Sequence, residues 1–346
     1  MNIYFNRNFS SIELLFKEIK KYNKKVNLFY TRSTVNIKSK YAKVFKEPKN
    51  LNEYLDFCSK HKIDYFYPWK NIEIFYGNEL LFKEIGVKIL LPTSSIKNYN
   101  LIDDKSKFYK YINSFLPELI PEFRTIKKLK DFSPKYDKIK NKNNLICMKP
   151  SKGIYASGFK LILENVDIFE KIQNNKDKYI ISKKYLETIL PKTFEEIILI
   201  EYINGDEFSY DVFCDNGKII FGTIRQKHKE QSDFQTIVKN KFIKKVTKKI
   251  VKKMNLSNFI NFQFISKKTG EIYILEINPR MSGGIPQCNI SGINYSELLI
   301  DYLDNKNIDK KLKKQNFNIK VGSKRKYIKL DWFFNLMIYI WFSWNH

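Results

Sequence analysis

The sequence predicts an α/β chain, with a helix-covered parallel sheet first and strand pairs joined by tight turns after it. Strand and helix patterns alternate through the first hundred residues, which favours a parallel sheet. Later, Glu196–Ile203 is a strongly apolar strand and Glu207–Cys214 returns as an alternating one across Asn204-Gly-Asp206, while Phe259–Ile265 and Ile272–Asn278 read as a hairpin across Ser266–Glu271. With 346 residues, 43% of them hydrophobic, the chain suffices for two or three domains with a sizeable core.

In the first part, Asn2–Phe5, Val26–Tyr30, Tyr41–Phe45, Asp64–Tyr67 and Val87–Leu90 have the apolar character of short strands. Helical periodicity runs over Ser10–Tyr22, with Ser10 or Ser11 as N-cap and Glu13 in the first turn. It returns at Leu51–Lys60 and at Asn78–Ile85, where Gly86 ends it. No GxGxxG follows the first strand, so this part carries no dinucleotide fingerprint. Asp103-Asp-Lys-Ser-Lys107 opens a further helix to about Phe115, and Pro117 and Pro121 punctuate its exit. The Lys- and Asn-rich Lys135–Asn144 is expected as a surface connection. Leu145–Pro150 is a buried strand running into the loop Ser151–Gly158, followed by strand Phe159–Leu163 and a helix near Val166–Gln173. Helices are expected at Asn240–Met254 and Tyr295–Asp304. No internal repeat is present.

The net charge of +27 invites a polyanion partner, but nearly all of the basic excess is Lys, with six arginines. The lysines are spread through every segment, and the chain has only two alanines, Ala42 and Ala156, a bias expected of an AT-rich genome. A solvated basic surface is the expectation, with no specific nucleic-acid partner. Cys58, Cys147, Cys214 and Cys288 form no CxxC pair, and His61, His228 and His346 offer no zinc spacing. Free thiols, a reducing cytoplasm and no secretory leader are expected.

The most informative stretch is Ile272–Arg280, followed by Met281-Ser-Gly-Gly284. As a strand it places Glu276 and Asn278 on one face, Pro279 ends the ladder, and Arg280 lies just beyond. Two hard oxygen ligands and a guanidinium at one strand end suit a magnesium–polyphosphate site. If Ser266 pairs with Glu271, Gln263 faces Ile274 and lies diagonal to Glu276, while Phe262, Phe264, Tyr273, Leu275 and Ile277 make the apolar face. The loop Gly153–Gly158 has P-loop glycine spacing, but Phe159-Lys160 stands where Lys-Ser/Thr is needed and the loop joins strand to strand, so Walker A is rejected. A flexible lid over phosphates, with Lys149 before it as a fixed cation, fits instead.

In order, the chain offers Asp104-Lys105 at a helix start, Lys149-Pro150 before a Gly/Ser loop, Ile200-Glu-Tyr-Ile203 ending an apolar strand, Gly205-Asp-Glu207, Arg225, Gln263 and Glu276-x-Asn278-x-Arg280. This ordered set resembles the ATP-grasp superfamily, and within it the carbamoyl-phosphate-synthase-like ligases, from about Met1 to Asp304. The resemblance implies an α/β (α+β ATP-grasp) architecture. A pre-ATP-grasp Rossmann-like domain would occupy 1–103 and a two-lobed ATP-grasp domain 104–310, its small lid lobe about 144–200, with 311–346 as a basic, aromatic tail. It also implies roles. Lys105 and Lys149, with Ser151, Gly153 and Gly158 of the lid, would meet ATP phosphates. Glu201, Tyr202 and Ile203 would hold adenine and Glu207 the ribose. Gln263, Glu276 and Asn278 would bind Mg2+ (or Mn2+), Arg280 would steady the transferring phosphoryl group, and Arg225 would contact substrate or phosphate.

The activity so implied is an ADP-forming carboxylate–amine (or thiol) ligase acting through an acylphosphate, with amino acids, peptide or polysaccharide precursors all open as substrates. Alternatives are an ATP-grasp regulatory protein without turnover and a polyanion- or membrane-surface-binding protein. After Ser323-Lys-Arg-Lys326, a helix would align Trp332, Phe333, Leu336, Met337, Ile340, Trp341 and Trp344, a run too short to span a bilayer. The favoured expectation is a tail docked on the core or on a second subunit; the alternative is contact with an anionic membrane surface.

Overall fold

The structure is a computed structural model that describes residues 1–6, 11–33, 38–140, 145–153, 158–164, 179–229 and 234–322. The helix expected near Val166–Gln173, most of the lid loop and the tail after Gly322 lie outside the described residues.

Three sheets follow one another along the chain. The first contains β1 (Asn2–Phe5), β2 (Asn27–Arg32), β3 (Lys43–Lys46), β4 (Tyr65–Tyr67) and β5 (Lys88–Ile89) in the order β3-β2-β1-β4-β5, every pairing parallel. Helices Ile12–Tyr22, Leu51–Lys60 and Glu79–Glu84 make the crossovers, so the expected alternation is realised element by element. Aromatic residues fill one face of this sheet, where Tyr4 stacks on Phe66 at 4.5 Å among Phe29, Tyr54, Phe75 and Phe82. On the other face Ile12, Leu15, Phe16 and Ile19 share one buried cluster with Tyr295, Leu298 and Leu299 of helix Tyr295–Leu303. The first sheet is thereby joined to the last through apolar burial.

The second sheet has β6 (Phe123–Lys128), β7 (Ile146–Pro150), β8 (Lys160–Leu163), β9 (Ile180–Ser182) and β10 (Thr193–Glu201), ordered β6-β10-β7-β8-β9. It draws in Phe123–Lys128, which lies ahead of the range expected for the lid lobe. Lys135–Asn144 was expected as a connection, but Phe132–Lys140 is a helix. Its Phe132, Tyr136 and Ile139 are spaced to bury one face against Ile126, Ile146 and Leu199, so packing outweighs a lysine-rich composition. A second unexpected helix, Ile96–Asp103, starts at Ser95, whose hydroxyl accepts the Asn98 N–H.

The third sheet has β11 (Glu207–Asp215), β12 (Lys218–Lys227), β13 (Phe234–Val238), β14 (Asn258–Ser266), β15 (Ile272–Asn278) and β16 (Ile319–Gly322), all antiparallel in the order β15-β14-β11-β12-β13-β16. Its apolar face packs under helix Lys241–Lys253, whose Ile243, Val246 and Ile250 are buried while its lysines face solvent. The register corrects one expectation. Ser266 pairs with Ile272, and an irregularity between Gln263 and Phe264 places Gln263 directly opposite Glu276 and Asn261 opposite Asn278. Ile274 and Ile277 are therefore the core residues of β15, while Tyr273 and Leu275 are only half-buried.

A buried ion pair crosses the polar face of this sheet. Arg225, expected to touch substrate, is 3% exposed and donates to Asp211 Oδ2 at 2.7 Å, Ser209 Oγ at 2.9 Å and Gln235 Oε1 at 2.6 Å. Burial opposes its charge, but Asp211 reverses that and holds its pKa above the ordinary arginine value. Gln287 and Ser282 also accept from it, and a Cβ at Gly284 would lie 2.2 Å from its guanidinium carbon. The glycine pair after Arg280 thus lets the chain pass over a buried cation. Replacing Arg225 by Met strands the Asp211 carboxylate, and urea unfolding should register a loss of about 3–5 kcal/mol. Substituting Asp211 by Leu in the same chain should restore much of it.

Candidate active site

A cavity of about 730 Å³ lies between the second and third sheets and collects most of the residues singled out from the sequence. Lys105, Lys149, Gly153, Glu276 and Arg280 line one part of its wall, and Glu201, Tyr202, Ile203 and Glu207 another. Gln263 also lines it. Asn278 lines a smaller cavity that shares Lys105, Gly153, Glu276 and Arg280 with the larger one. Ser151, Gly158 and Arg225 line neither.

Lys105 is placed by a capped helix start. The Asp104 side chain accepts the Lys107 N–H at 3.1 Å and the Ser151 hydroxyl, while the Lys105 N–H bonds the Ser151 carbonyl at 2.9 Å. Ser151 is thus a buried clamp between β7 and this helix. Burial raises the Asp104 pKa, but the Ser151 hydroxyl and the backbone donors outweigh it, and the carboxyl titrates below its usual range. The Lys105 ammonium donates to the Gly153 carbonyl at 2.7 Å and lies 3.8 Å from Glu276 Oε2. Desolvation, assisted by Lys149, lowers its pKa despite Glu276.

Lys149 projects from β7 beside Tyr109. Its ammonium donates to the Tyr109 hydroxyl at 3.3 Å, and that hydroxyl donates to the Leu275 carbonyl at 2.7 Å. Desolvation works against its charge, yet Tyr109, Cys147 and Glu276 together hold its pKa above the ordinary lysine value. The two cations differ in kind: Lys105 gives up its proton more readily, and Lys149 is fixed as an ammonium.

The acidic end is assembled across three strands. Asn261 is 1% exposed and donates to Ser209 Oγ at 2.9 Å and Asp211 Oδ1 at 3.0 Å. Its own carbonyl accepts Gln263 Nε2 at 3.3 Å, which leaves the Gln263 carbonyl oxygen as the end a cation would meet. Asn278 Nδ2 donates to Glu276 Oε1 at 2.9 Å, and Arg280 Nη2 donates to Asn278 Oδ1 at 3.3 Å. Among the described residues no three His, Cys, Asp or Glu side chains converge. One carboxylate with two amide oxygens is a sparse set, and it fits Mg2+ that brings phosphate and water ligands with it.

The other end is a hinge. The Tyr202 N–H bonds the Leu145 carbonyl at 2.6 Å, and Glu201 Oε1 receives Lys267 Nζ at 2.7 Å. Gly205 lets this segment cross the hairpin, since a Cβ there would lie 1.7 Å from the Ser266 carbonyl oxygen. Glu207 pairs with Lys227 at 3.2 Å. Sequence reasoning missed Lys227, His228 and Lys229, which line the cavity from the end of β12. Their signal was the basic run beginning at Arg225, from which only the arginine was chosen. It also missed Ser209, Asp211 and Asn261, all polar residues in phase on strands that were recognised.

Comparison with known proteins gives the same picture. A family model described as ATP-grasp in the biosynthetic pathway with Ter operon matches residues 193–325. The carbamoyl phosphate synthase large chain of Clostridium beijerinckii is 29% identical over 152 residues, 40% of this chain and 14% of that one. This chain therefore spans a small part of that relative's length. N5-carboxyaminoimidazole synthetase from Staphylococcus aureus complexed with ADP superposes with a TM-score of 0.61 at 13% identity, over 93% of this chain and 80% of its own. D-alanine–D-alanine ligase from Bacillus anthracis complexed with ATP does so at 0.52 and 17% identity, over 88% and 96%. The three-sheet fold is thus one this chain shares with solved ATP-dependent ligases, and its residues 193–325 match the ATP-grasp family model.

Proposed function

We propose that this protein is an ATP- and Mg2+-dependent ligase that joins a carboxylate to an amine (or thiol) through an acylphosphate, releasing ADP. The observation that carries this reading is the convergence of Lys105, Lys149, Glu276 and Arg280 on one wall of a cavity whose other wall holds the Glu201–Ile203 hinge. The solved relatives complexed with ADP and ATP support it.

Each residue then has a role. Tyr202 and Ile203 would flank the adenine, with Glu201 oriented by Lys267, and Glu207 would meet the ribose. Lys105 and Lys149 would neutralise the phosphates. Gln263, Glu276 and Asn278 would hold Mg2+, which supplies charge neutralisation on the β,γ-phosphates. Arg280 would bind the phosphoryl oxygens during transfer, because positioning and charge cancellation dominate this chemistry. A substrate carboxylate oxygen attacks the γ-phosphorus, the bond to the β,γ-bridging oxygen breaks, and ADP leaves with the electron pair. The amine then attacks the acyl carbon, expelling phosphate and losing a proton. No nucleophile from the chain is needed. Lys105, Lys149 and the Glu276–Arg280 set are retained together, which favours turnover over a purely regulatory nucleotide-binding role.

Glu276→Gln, nearly isosteric, should cut ADP release on the order of 100-fold or more while leaving the circular dichroism unchanged. Undiminished release would remove Glu276 from the metal set. ATP should be strongly preferred over GTP, and equal use of both would remove the hinge from adenine recognition.

The two lysines predict a pH signature. The Lys105 pKa lies below its ordinary value, so its charge is lost as pH rises through that lowered value, while Lys149 stays protonated. ATP affinity measured by calorimetry should therefore fall with rising pH before the range in which an ordinary lysine titrates. Lys105→Met should bind more weakly at neutral pH and lack that slope.

A further inference from the structure

The smaller cavity, about 60 Å³, opens off the phosphate end of the larger one. Its far wall is apolar, made by Trp69, Ile72, Ile102 and Phe108 with Tyr99. Trp69 and Ile72 belong to the segment that leaves β4, beside the end of β1. Those two strands are where the order of the parallel sheet reverses, and open parallel sheets take ligands outside the strand ends at that point. The wall is braced. Asn6, 1% exposed, accepts the backbone N–H of Trp69 at 2.7 Å and of Lys70 at 3.2 Å, and the Trp69 ring packs 5.3 Å from Phe5 and 5.7 Å from Tyr67.

Size and chemistry restrict what enters. One water-sized centre takes about 10–15 Å³, so 60 Å³ accommodates roughly four to six of them. A sugar, a nucleotide or a peptide chain does not fit. Against Ile72, Ile102 and Phe108 an aliphatic group gains apolar contact, while Asp103, Lys105, Glu276, Asn278 and Arg280 supply the polar side of the same lining. Beyond Glu276, the acid among the described residues of the lining is Asp103, an exposed carboxylate two residues before Lys105.

We propose that the carboxylate this enzyme activates is a small aliphatic α-amino acid. Its carboxyl group lies against Arg280 and Lys105, its side chain enters the pocket of Trp69, Ile72 and Ile102, and its ammonium faces Asp103. This rests on the ligase reading above and narrows its substrate to one class.

Hydroxylamine tests this without knowledge of the natural amine, because its nitrogen displaces phosphate from an acylphosphate to give a hydroxamate. Purified full-length protein, ATP and Mg2+ are incubated with hydroxylamine and single carboxylates: alanine, valine, leucine, phenylalanine, aspartate, the des-amino analogue of leucine, a dipeptide and a uronic acid. ADP and hydroxamate are quantified by mass. Valine or leucine should give equal amounts of both, with kcat/KM at least about tenfold above aspartate, the dipeptide and the uronic acid. Trp69→Ala, with Ile72→Ala as a smaller change should the first not fold, should move preference toward phenylalanine by about tenfold. Asp103→Asn should raise KM for leucine while leaving the des-amino analogue unchanged. Hydroxamate formed best from aspartate, the dipeptide or the uronic acid, with a profile unmoved in the wall variants, would overturn this assignment and leave the ligase reading standing. Equal use of leucine and its des-amino analogue would overturn the role of Asp103. ATP bound without hydroxamate or ADP from any carboxylate would overturn the ligase reading itself, and this one with it.

Discussion

The buried pair of Arg225 and Asp211 is the constraint on which the site rests. Two opposite charges in an apolar sheet are tolerated only when each finds several partners, and here both do. Asp211 accepts from Arg225 through one oxygen and from Asn261 through the other, and Asn261 in turn accepts from Gln263. The orientation of a side chain at the cavity is thus set two strands away by a charge that never reaches it. The same guanidinium reaches Ser282 and lies beneath Gly284, so it also holds the loop that follows Arg280.

That network links this end of the cavity to the first sheet. The Ser11 hydroxyl donates to the Gly283 carbonyl at 2.6 Å, and the Tyr295 hydroxyl donates to the Asp211 carbonyl at 2.8 Å. The helices carrying Ser11 and Tyr295 share one apolar cluster. The loop over Arg225 is therefore held from below by charge and from the side by the N-terminal helix. Such bracing lets one wall of the small cavity come from the first sheet and another from the third without loss of definition.

Much of this was legible in the sequence where a local rule applied. The β1 strand, helix Leu51–Lys60 and the hairpin around Thr269-Gly270 follow from apolar periodicity and turn chemistry, which act within a few residues. The order Lys105, Lys149, Glu201, Glu207, Gln263, Glu276, Arg280 was readable as an ordered set, and one cavity gathers all of them. Helix Phe132–Lys140 was misjudged because lysines and polar residues obscured the spacing of three buried side chains. Strands β12, β13 and β16 went unassigned because their polar residues are satisfied by partners distant in the chain.

By itself, then, the sequence determined which residue types were present and which lay in phase along each strand. Periodicity and sequence order are properties of the chain, and they sufficed for the fold class and for ten of the residues that line the cavity. Only the tertiary structure decided register and depth. The irregularity in β14–β15 sets Gln263 opposite Glu276, where uninterrupted pairing from Ser266–Ile272 would have set it opposite Leu275. Burial decided that Arg225 is a support inside the sheet, since whether a cation meets solvent or Asp211 depends on strands brought together from distant positions. Pairing and burial are relations between segments, and no single segment carries them.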